Sequence, residues 1–337
     1  MTPENGYLNK LRIIAKFFQF NQLQTNFYTE IITGITTFVT MAYILVVNPE
    51  ILSQAIFLQN SGDLFGELVI ATAISAAFAT LIMGIYGNYP YALAPGIGLN
   101  AYFTFSVVLK LGISWQVALA AVFIEGLIFI GLTISKVRSQ IVNNIPECLK
   151  QATTAGIGLF IAYIGLTSSK IIVTNETTTT TLNLDKAFMA DALGTTFGAV
   201  MGTSTVTSYI ESAAGVSQGG RSGFTAVVVG FLFILSIFFI PLLSAIPSLA
   251  TTPILLVVGV LMMGSVRNIS WDDPTESISA FLTIIIMPLS YSIADGLAIG
   301  LISYSLLKTF QGKFHETTFF MWILTFIFIL KFLFLGK

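Results

Sequence analysis

Long apolar runs alternate with short polar connectors along the whole chain. A hydrocarbon layer about 30 Å thick takes roughly 20 apolar residues per helix. On that ruler the runs predict membrane spans at 31–47, 68–85, 115–134, 155–166, 187–200, 224–243, 253–263, 278–290, 293–307 and 319–334. Asn48-Pro49 is expected to end the first of them. Two stretches break the pattern. In NYPYALAPGIGLN (88–100), prolines and glycines interrupt the helical period before AYFTFSVVLKLG resumes it. Residues that precede Pro90 and Pro95 are biased to extended geometry, so a short extended piece and then a half-helix from about Gly96 are expected, in a broken helix over 88–109. In GTSTVTSYIESAAGVSQGGRSG (202–223), Thr203, Ser204, Thr205, Thr207, Ser208, Tyr209 and Ser212 crowd around Glu211, which predicts a second broken helix over 202–216.

Irregular backbone at membrane depth is tolerated only where protein or a water-filled cavity covers it. A carboxylate at that depth is costly unless it is paired, wetted or protonated. Glu211 is therefore expected at the centre of a site for a small polar solute. Paired Gly/Pro-interrupted segments in two halves of a membrane protein point to a transporter binding site, and half-helix N-termini offer backbone N–H groups and partial positive charge to a solute.

Composition narrows the class. The chain has 337 residues, 55% of them hydrophobic and 9% charged, which no soluble domain of this size matches. With 15 basic and 16 acidic side chains there is no basic stripe for nucleic acid. The lone cysteine, Cys148, excludes a disulfide framework and is expected to be a small buried hydrophobe. The lone histidine, His315, argues against a metal site, and no cofactor is expected. No HExxH, Cys/His cluster or GxSxG supports a membrane enzyme. With Lys10, Arg12 and Lys16 and no cleavage signal, 1–28 is expected to be a retained cytoplasmic amphipathic segment.

Other residues carry two readings each. Asn100 offers a donor and an acceptor to a ring edge, or caps a half-helix. Thr203, Ser204 and Thr205 line the pocket or cap. Phe38, Met41 and Tyr43 stack on a ring or simply pack. Glu125, Asp191 and Asp295 are expected to make inter-helix hydrogen bonds, and Lys331 to snorkel to the head groups. Asn175-Glu176-Thr177 fits a glycosylation pattern.

Five stretches carry a family resemblance: TEIITGITTFVTMAYILVVNPEIL (29–52), ALAPGIGLNAYF (92–103), FIEGLIF (123–129), ADALGTTFGAVMGTSTVTSYIESAAGVSQGGRSG (190–223) and MPLSYSIADGLAIGLISYSLLK (287–308). They resemble the AzgA-like branch of the nucleobase–cation symporters, the hypoxanthine/adenine/guanine permeases. The resemblance implies an all-α polytopic membrane fold, a seven-plus-seven inverted repeat with core and gate domains. It implies a multi-pass protein of the cell membrane that takes up purine bases by secondary active transport with a proton, and it allows a homodimer. Asn100 falls on the third-helix ligand position and Glu211 on the tenth-helix one, where it also carries the coupled proton. Gly96, Gly98, Thr203, Ser204, Thr205 and Phe38 complete the expected substrate site. Ile97 stands where the family motif usually has Met.

The departure concerns length. Members carry, between Asn175 and Asn183, a further stretch of about three spans with an acidic eighth helix, and the chain resembles the family with its sixth to eighth helices removed. About 11 segments then remain, two of them broken. The expected order is first-half core helices over 29–150, the fifth helix and a Thr-rich loop over 151–186, second-half core helices over 187–246, gate helices over 247–310 and a C-terminal helix over 311–337. Charge placement supports the loss. Lys/Arg mark cytoplasmic loops, and Lys136 and Arg138 obey the rule, yet Arg221, Arg267, Lys308 and Lys313 fall outside unless an odd number of spans is restored. Impaired uptake, a non-transporting remnant, and another small-solute transporter or channel are the competing readings.

Overall fold

The structure is a computed structural model. It describes residues 11–56, 63–169, 184–209, 211–245, 262–290, 292–313 and 317–335, with isolated positions between 253 and 260. Lys10, the Thr-rich loop with Asn175 and Glu176, His315 and most of the expected span at 253–263 lie outside the described residues.

In chain order the principal elements are α1 (Phe27–Met41), α2 (Ile44–Leu52), α3 (Leu64–Ile82), β1 (Leu93–Pro95), α4 (Ile97–Ala101), α5 (Trp115–Ile134), α6 (Glu147–Ser169), α7 (Leu184–Met201), β2 (Val206–Ser208), α8 (Ser212–Ser217), α9 (Gly223–Ser236), α10 (Pro274–Ser290), α11 (Ile293–Phe310) and α12 (Phe319–Leu335). Helical segments Phe27–Leu52, Leu64–Gly87, Trp115–Ile134, Gly223–Ser244 and Ile293–Phe310 are long and apolar enough to cross a membrane. The chain forms two compact units. One comprises Met1–Asn100, Ile113–Ile134 and Leu182–Ile246, and the other Ala101–Gly112, Ser135–Thr181 and Pro247–Lys337.

In the first unit, side-chain caps start the helices. Asn26 accepts from Thr29 N at 2.9 Å, Asp63 from Gly66 N at 3.0 Å and Ser222 from Phe224 N at 3.2 Å. Asp63 explains why α3 begins at Leu64, ahead of the apolar run at 68. At the centre, α3 packs against α2, α7, α9 and β1. Its buried face is built from small residues, Ala71, Ala73, Ala76, Ala77 and Ala79, which let neighbouring backbones come close. Phe78 stacks on Phe197 of α7 at 4.1 Å between ring centroids.

Asn48-Pro49 does not terminate the first span. The helix loosens earlier, at Ala42-Tyr43, where Leu45 N bonds Ala42 O at 3.1 Å and Val46 N bonds Tyr43 O at 3.0 Å. Pro49 then sits inside α2. A proline mainly disturbs the carbonyl four residues back, here Leu45, which lies in that already loosened turn. Asn48 is thereby carried into the interior of the unit, fully buried.

The two interrupted stretches pair with each other. β1 and β2 run antiparallel, with Leu93 opposite Ser208, Ala94 opposite Thr207 and Pro95 opposite Val206. α4 leaves the ribbon beyond Pro95 and continues as a wider π-helical coil over Tyr102–Lys110. α8 follows β2. The ribbon's edge groups are met inside the unit. Thr80 Oγ1 donates to Leu93 O at 2.8 Å and accepts from Leu93 N at 2.9 Å, while Thr195 Oγ1 does the same for Val206 at 3.1 and 3.2 Å. Unpaired strand groups at membrane depth require this kind of cover.

In the second unit, α6 packs on α10 and α11, and α11 on α12. One core cluster joins Ala152, Ala155, Ile269, Ala280 and Ile284; another joins Cys148, Leu149, Leu301, Tyr304 and Met321. Cys148 is a buried packing residue there. Lys331 finds a partner within the unit. Its ammonium pairs with the Asp295 carboxylate, tying α12 to α11.

Candidate binding site at the paired broken helices

The ribbon register fixes where each candidate residue falls. Gly96, just past β1, donates its N–H to Thr205 O at 3.0 Å, so this group closes the ribbon and is not free for a solute. A Cβ at Gly96 would stand 3.1 Å from Thr207 Cγ2, which is tight. Gly98 is buried within α4. Asn100, one turn further on, is fully buried, and its N–H bonds Gly96 O at 2.9 Å.

Asn48 joins the two broken stretches. Its Oδ1 accepts from Asn100 Nδ2, and its Nδ2 donates to Thr72 Oγ1 at 2.8 Å and Thr203 Oγ1 at 3.2 Å. Thr203 and Ser204 are buried. Among the described residues, the Asn100 Oδ1 and Ser204 Oγ atoms are buried without a hydrogen-bond partner. A buried polar atom left unpaired costs about 1–3 kcal/mol, and two of them lie beside this one ribbon.

Thr205 turns the other way. Its hydroxyl donates to Glu125 Oε2 on α5 at 3.1 Å, so Glu125 bonds the non-helical lead into β2 where an inter-helix bond was expected. Phe38 is set edge-on against Phe233 of α9, with centroids 5.3 Å apart, as a packing residue between helices.

Glu211 lies beyond the other end of β2 and is buried. It stands at the N-cap position of α8, yet its side chain makes no capping bond. Its Oε1 accepts instead from Tyr43 Oη at 2.6 Å, and its backbone carbonyl meets Thr40 Oγ1 at 3.5 Å. Neighbouring Tyr209 donates to Pro95 O at 2.6 Å, and Ser212 Oγ accepts from Ala92 N at 3.0 Å, so both flanks of Glu211 are fastened to the first broken stretch. Asn100 and Glu211 thus belong to opposite ends of the ribbon. What links them is α2 with its preceding residue: Tyr43 holds Glu211 and Asn48 holds Asn100, about 7.5 Å apart along a helix axis.

Sequence reasoning missed Asn48 and Thr72 and gave Tyr43 a stacking or packing role, not a hydrogen bond to Glu211. The signal for Asn48 was present, since an amide inside an apolar run needs a partner at that depth. Its neighbour Pro49 made the pair look like a stop.

Apolar helices of membrane length, two broken segments paired at their breaks, and a buried polar layer around them define a multi-pass membrane permease. The chain belongs to the Permease family, whose profile (Xan_ur_permease) matches residues 28–184 and 172–299. It is 36% identical to the guanine/hypoxanthine permease PbuG of Bacillus subtilis, over 95% of this chain and 99% of that protein. It is 33% identical to the adenine permease AdeP of Escherichia coli, over 96% of each. In fold it is similar to the transmembrane domain of a cyanobacterial bicarbonate transporter, BicA, with a TM-score of 0.57 at 11% identity, covering 81% of this chain and 97% of that one. The alignment to PbuG runs over 440 residues although this chain has 337, so the relative carries internal sequence that this chain lacks. The two family matches overlap at residues 172–184.

Proposed function

We propose that this chain binds purine nucleobases at the paired broken helices and moves them into the cell by secondary active transport coupled to a proton. The observation that carries this reading is the pair of buried, partnerless polar atoms on Asn100 and Ser204, beside the same ribbon that positions the buried Glu211. A flat heterocycle rich in N–H and ring nitrogen fits that set: Glu211 accepts N–H donors, the Asn100 amide oxygen accepts another, and the Ser204 hydroxyl gives or takes one. Thr203 and the Gly96–Gly98 turn shape the wall. The relatives' substrates, guanine, hypoxanthine and adenine, are of this class. Glu211 also carries the coupled proton, because a buried acid at membrane depth is the group that exchanges one. The finer architecture is a seven-plus-seven inverted repeat that lacks its sixth to eighth helices.

A second reading is favoured by the length difference. A chain short of a whole internal stretch holds the base yet fails to carry it, a remnant that binds without transporting. Uptake of radiolabelled hypoxanthine, guanine and adenine into a permease-null cell, beside base binding to the purified protein, separates the two. Uptake lost in Glu211→Gln supports transport through this site; uptake unaffected by Glu211→Gln rejects the site. Binding without uptake supports the remnant.

A further inference from the structure

Asn100 is held in one orientation by a directed chain of hydrogen bonds that begins at a backbone carbonyl of α3. Thr72 Oγ1 donates its single proton to Leu68 O at 2.7 Å. With that proton committed, the Thr72 oxygen can only accept. The group of Asn48 that faces it at 2.8 Å must therefore be the Nδ2 amine, which also donates to Thr203 Oγ1 at 3.2 Å. Asn48 then turns its Oδ1 to Asn100, and Asn100 must answer with its own Nδ2. The amide oxygen of Asn100 is left over, buried and without a partner among the described residues. Every member of the chain, Thr72, Asn48, Asn100 and Thr203, is fully buried, so water does not relax the direction.

From this geometry we infer that Thr72 and Asn48 are specificity-determining positioning residues. They fix the position of the Asn100 Oδ1 acceptor and so select which edge of a purine is admitted. The inference rests on the purine reading above and deepens it. Hypoxanthine and adenine have the same outline but inverted edges: at ring position 1 and the adjoining substituent, hypoxanthine shows N–H and C=O where adenine shows a bare nitrogen and NH2. An amide locked in one orientation tells the two apart, because the wrong edge sets acceptor against acceptor at a buried site. An amide free to rotate by half a turn serves either.

The test is the ratio of hypoxanthine to adenine dissociation constants, measured on purified protein in detergent, where binding does not depend on transport. Wild type is expected to prefer one base by about tenfold or more. Thr72→Val, which keeps the shape and removes the hydroxyl, is expected to bring that ratio about tenfold closer to one. Thr72→Ser, which keeps the hydroxyl, restores the wild-type ratio, a rescue that a merely space-filling role of Thr72 does not give. Should Thr72→Val not accumulate in the membrane, Thr72→Ala lacks the same hydroxyl and carries the same comparison. A wild-type ratio preserved in the hydroxyl-less variant overturns the inference, as does a wild type that binds both bases equally. A wild type that binds neither base removes the purine reading, and the inference with it, before any variant is made.

Discussion

Tyr43 and Glu211 are 168 residues apart in the chain and share a 2.6 Å hydrogen bond between phenol and carboxylate. The bond forms because α1 loosens at Ala42-Tyr43 and because Glu211 is not spent on capping α8. A donor on a buried carboxylate is worth about 1.5–3 kcal/mol. Tyr43→Phe removes the hydroxyl and keeps the ring, so base affinity is expected to fall by about tenfold or more while the protein still folds. Glu211→Gln is expected to fall further. Radioligand binding on the purified variants checks this, and an unchanged affinity in Tyr43→Phe means that Tyr43 does not orient the acid for its ligand.

Glu30 has a different task from Glu211. It is buried at the start of α1, and its carboxylate collects the hydroxyls of Thr25 at 2.6 Å, Ser222 at 2.7 Å and Thr225 at 2.6 Å. It also accepts the backbone N–H groups of Arg221 at 3.1 Å and Thr225 at 3.2 Å. An acid from one helix thus serves the open N-terminus of α9, where free N–H groups and the helix dipole favour negative charge. Glu30→Ala strands these donors and is expected to cost about 3 kcal/mol or more, with Glu30→Gln intermediate because its oxygen still accepts. A drop in the melting temperature of the detergent-solubilised protein measures it. A loss of base binding at unchanged stability contradicts the structural role.

Much of this was legible in the chain because of what the membrane demands. Apolar run lengths placed α5 at 115–134, and Pro90, Pro95 and the Gly/Ser/Thr clusters marked both breaks. What stayed hidden was pairing. A sequence has no register between residues more than a hundred positions apart, so nothing showed that Pro95 would oppose Val206, or that this would carry Asn100 and Glu211 to opposite ends of a ribbon. Phe38 illustrates the converse. An aromatic near a predicted site invites a stacking role, but only the packing of α1 on α9 reveals that its ring meets Phe233.

Close backbone approach at Gly84 and Gly223 gives a third prediction. A Cβ on Gly223 would collide with the carbonyl oxygen of Gly84 and stand 2.8 Å from Asn88 Cα, all backbone that no rotamer change can move. Gly223→Ala is therefore expected to drive α9 off the end of α3 and to abolish the folded protein. Gly112, by contrast, has φ of +69° with open space around its Cβ position, so Gly112→Ala carries only the backbone penalty, about 1 kcal/mol. Size-exclusion profiles of fluorescent fusions compare the two directly; equal profiles are incompatible with this close approach of Gly84 and Gly223.

Asp273 supplies a pH signature outside the membrane-spanning segments. It precedes Pro274 at the start of α10, and its Oδ1 accepts the N–H of Thr275 at 2.8 Å, an N-cap bond that holds its carboxyl below the usual aspartate range. A carboxyl whose pKa is lower folded than unfolded contributes stability that is complete above the unfolded value, about 3.9. That contribution is lost as pH falls through the depressed folded value. Asp273→Ala is expected to cost about 1 kcal/mol at neutral pH through loss of the cap. Asp273→Asn keeps a capping oxygen that does not titrate, so it should match wild type at pH 7 and lose less stability on acidification to about pH 3. Melting temperatures of wild type and both variants across that range give the comparison. Parallel wild-type and Asp273→Asn curves below pH 4 are incompatible with a charged cap at this helix start.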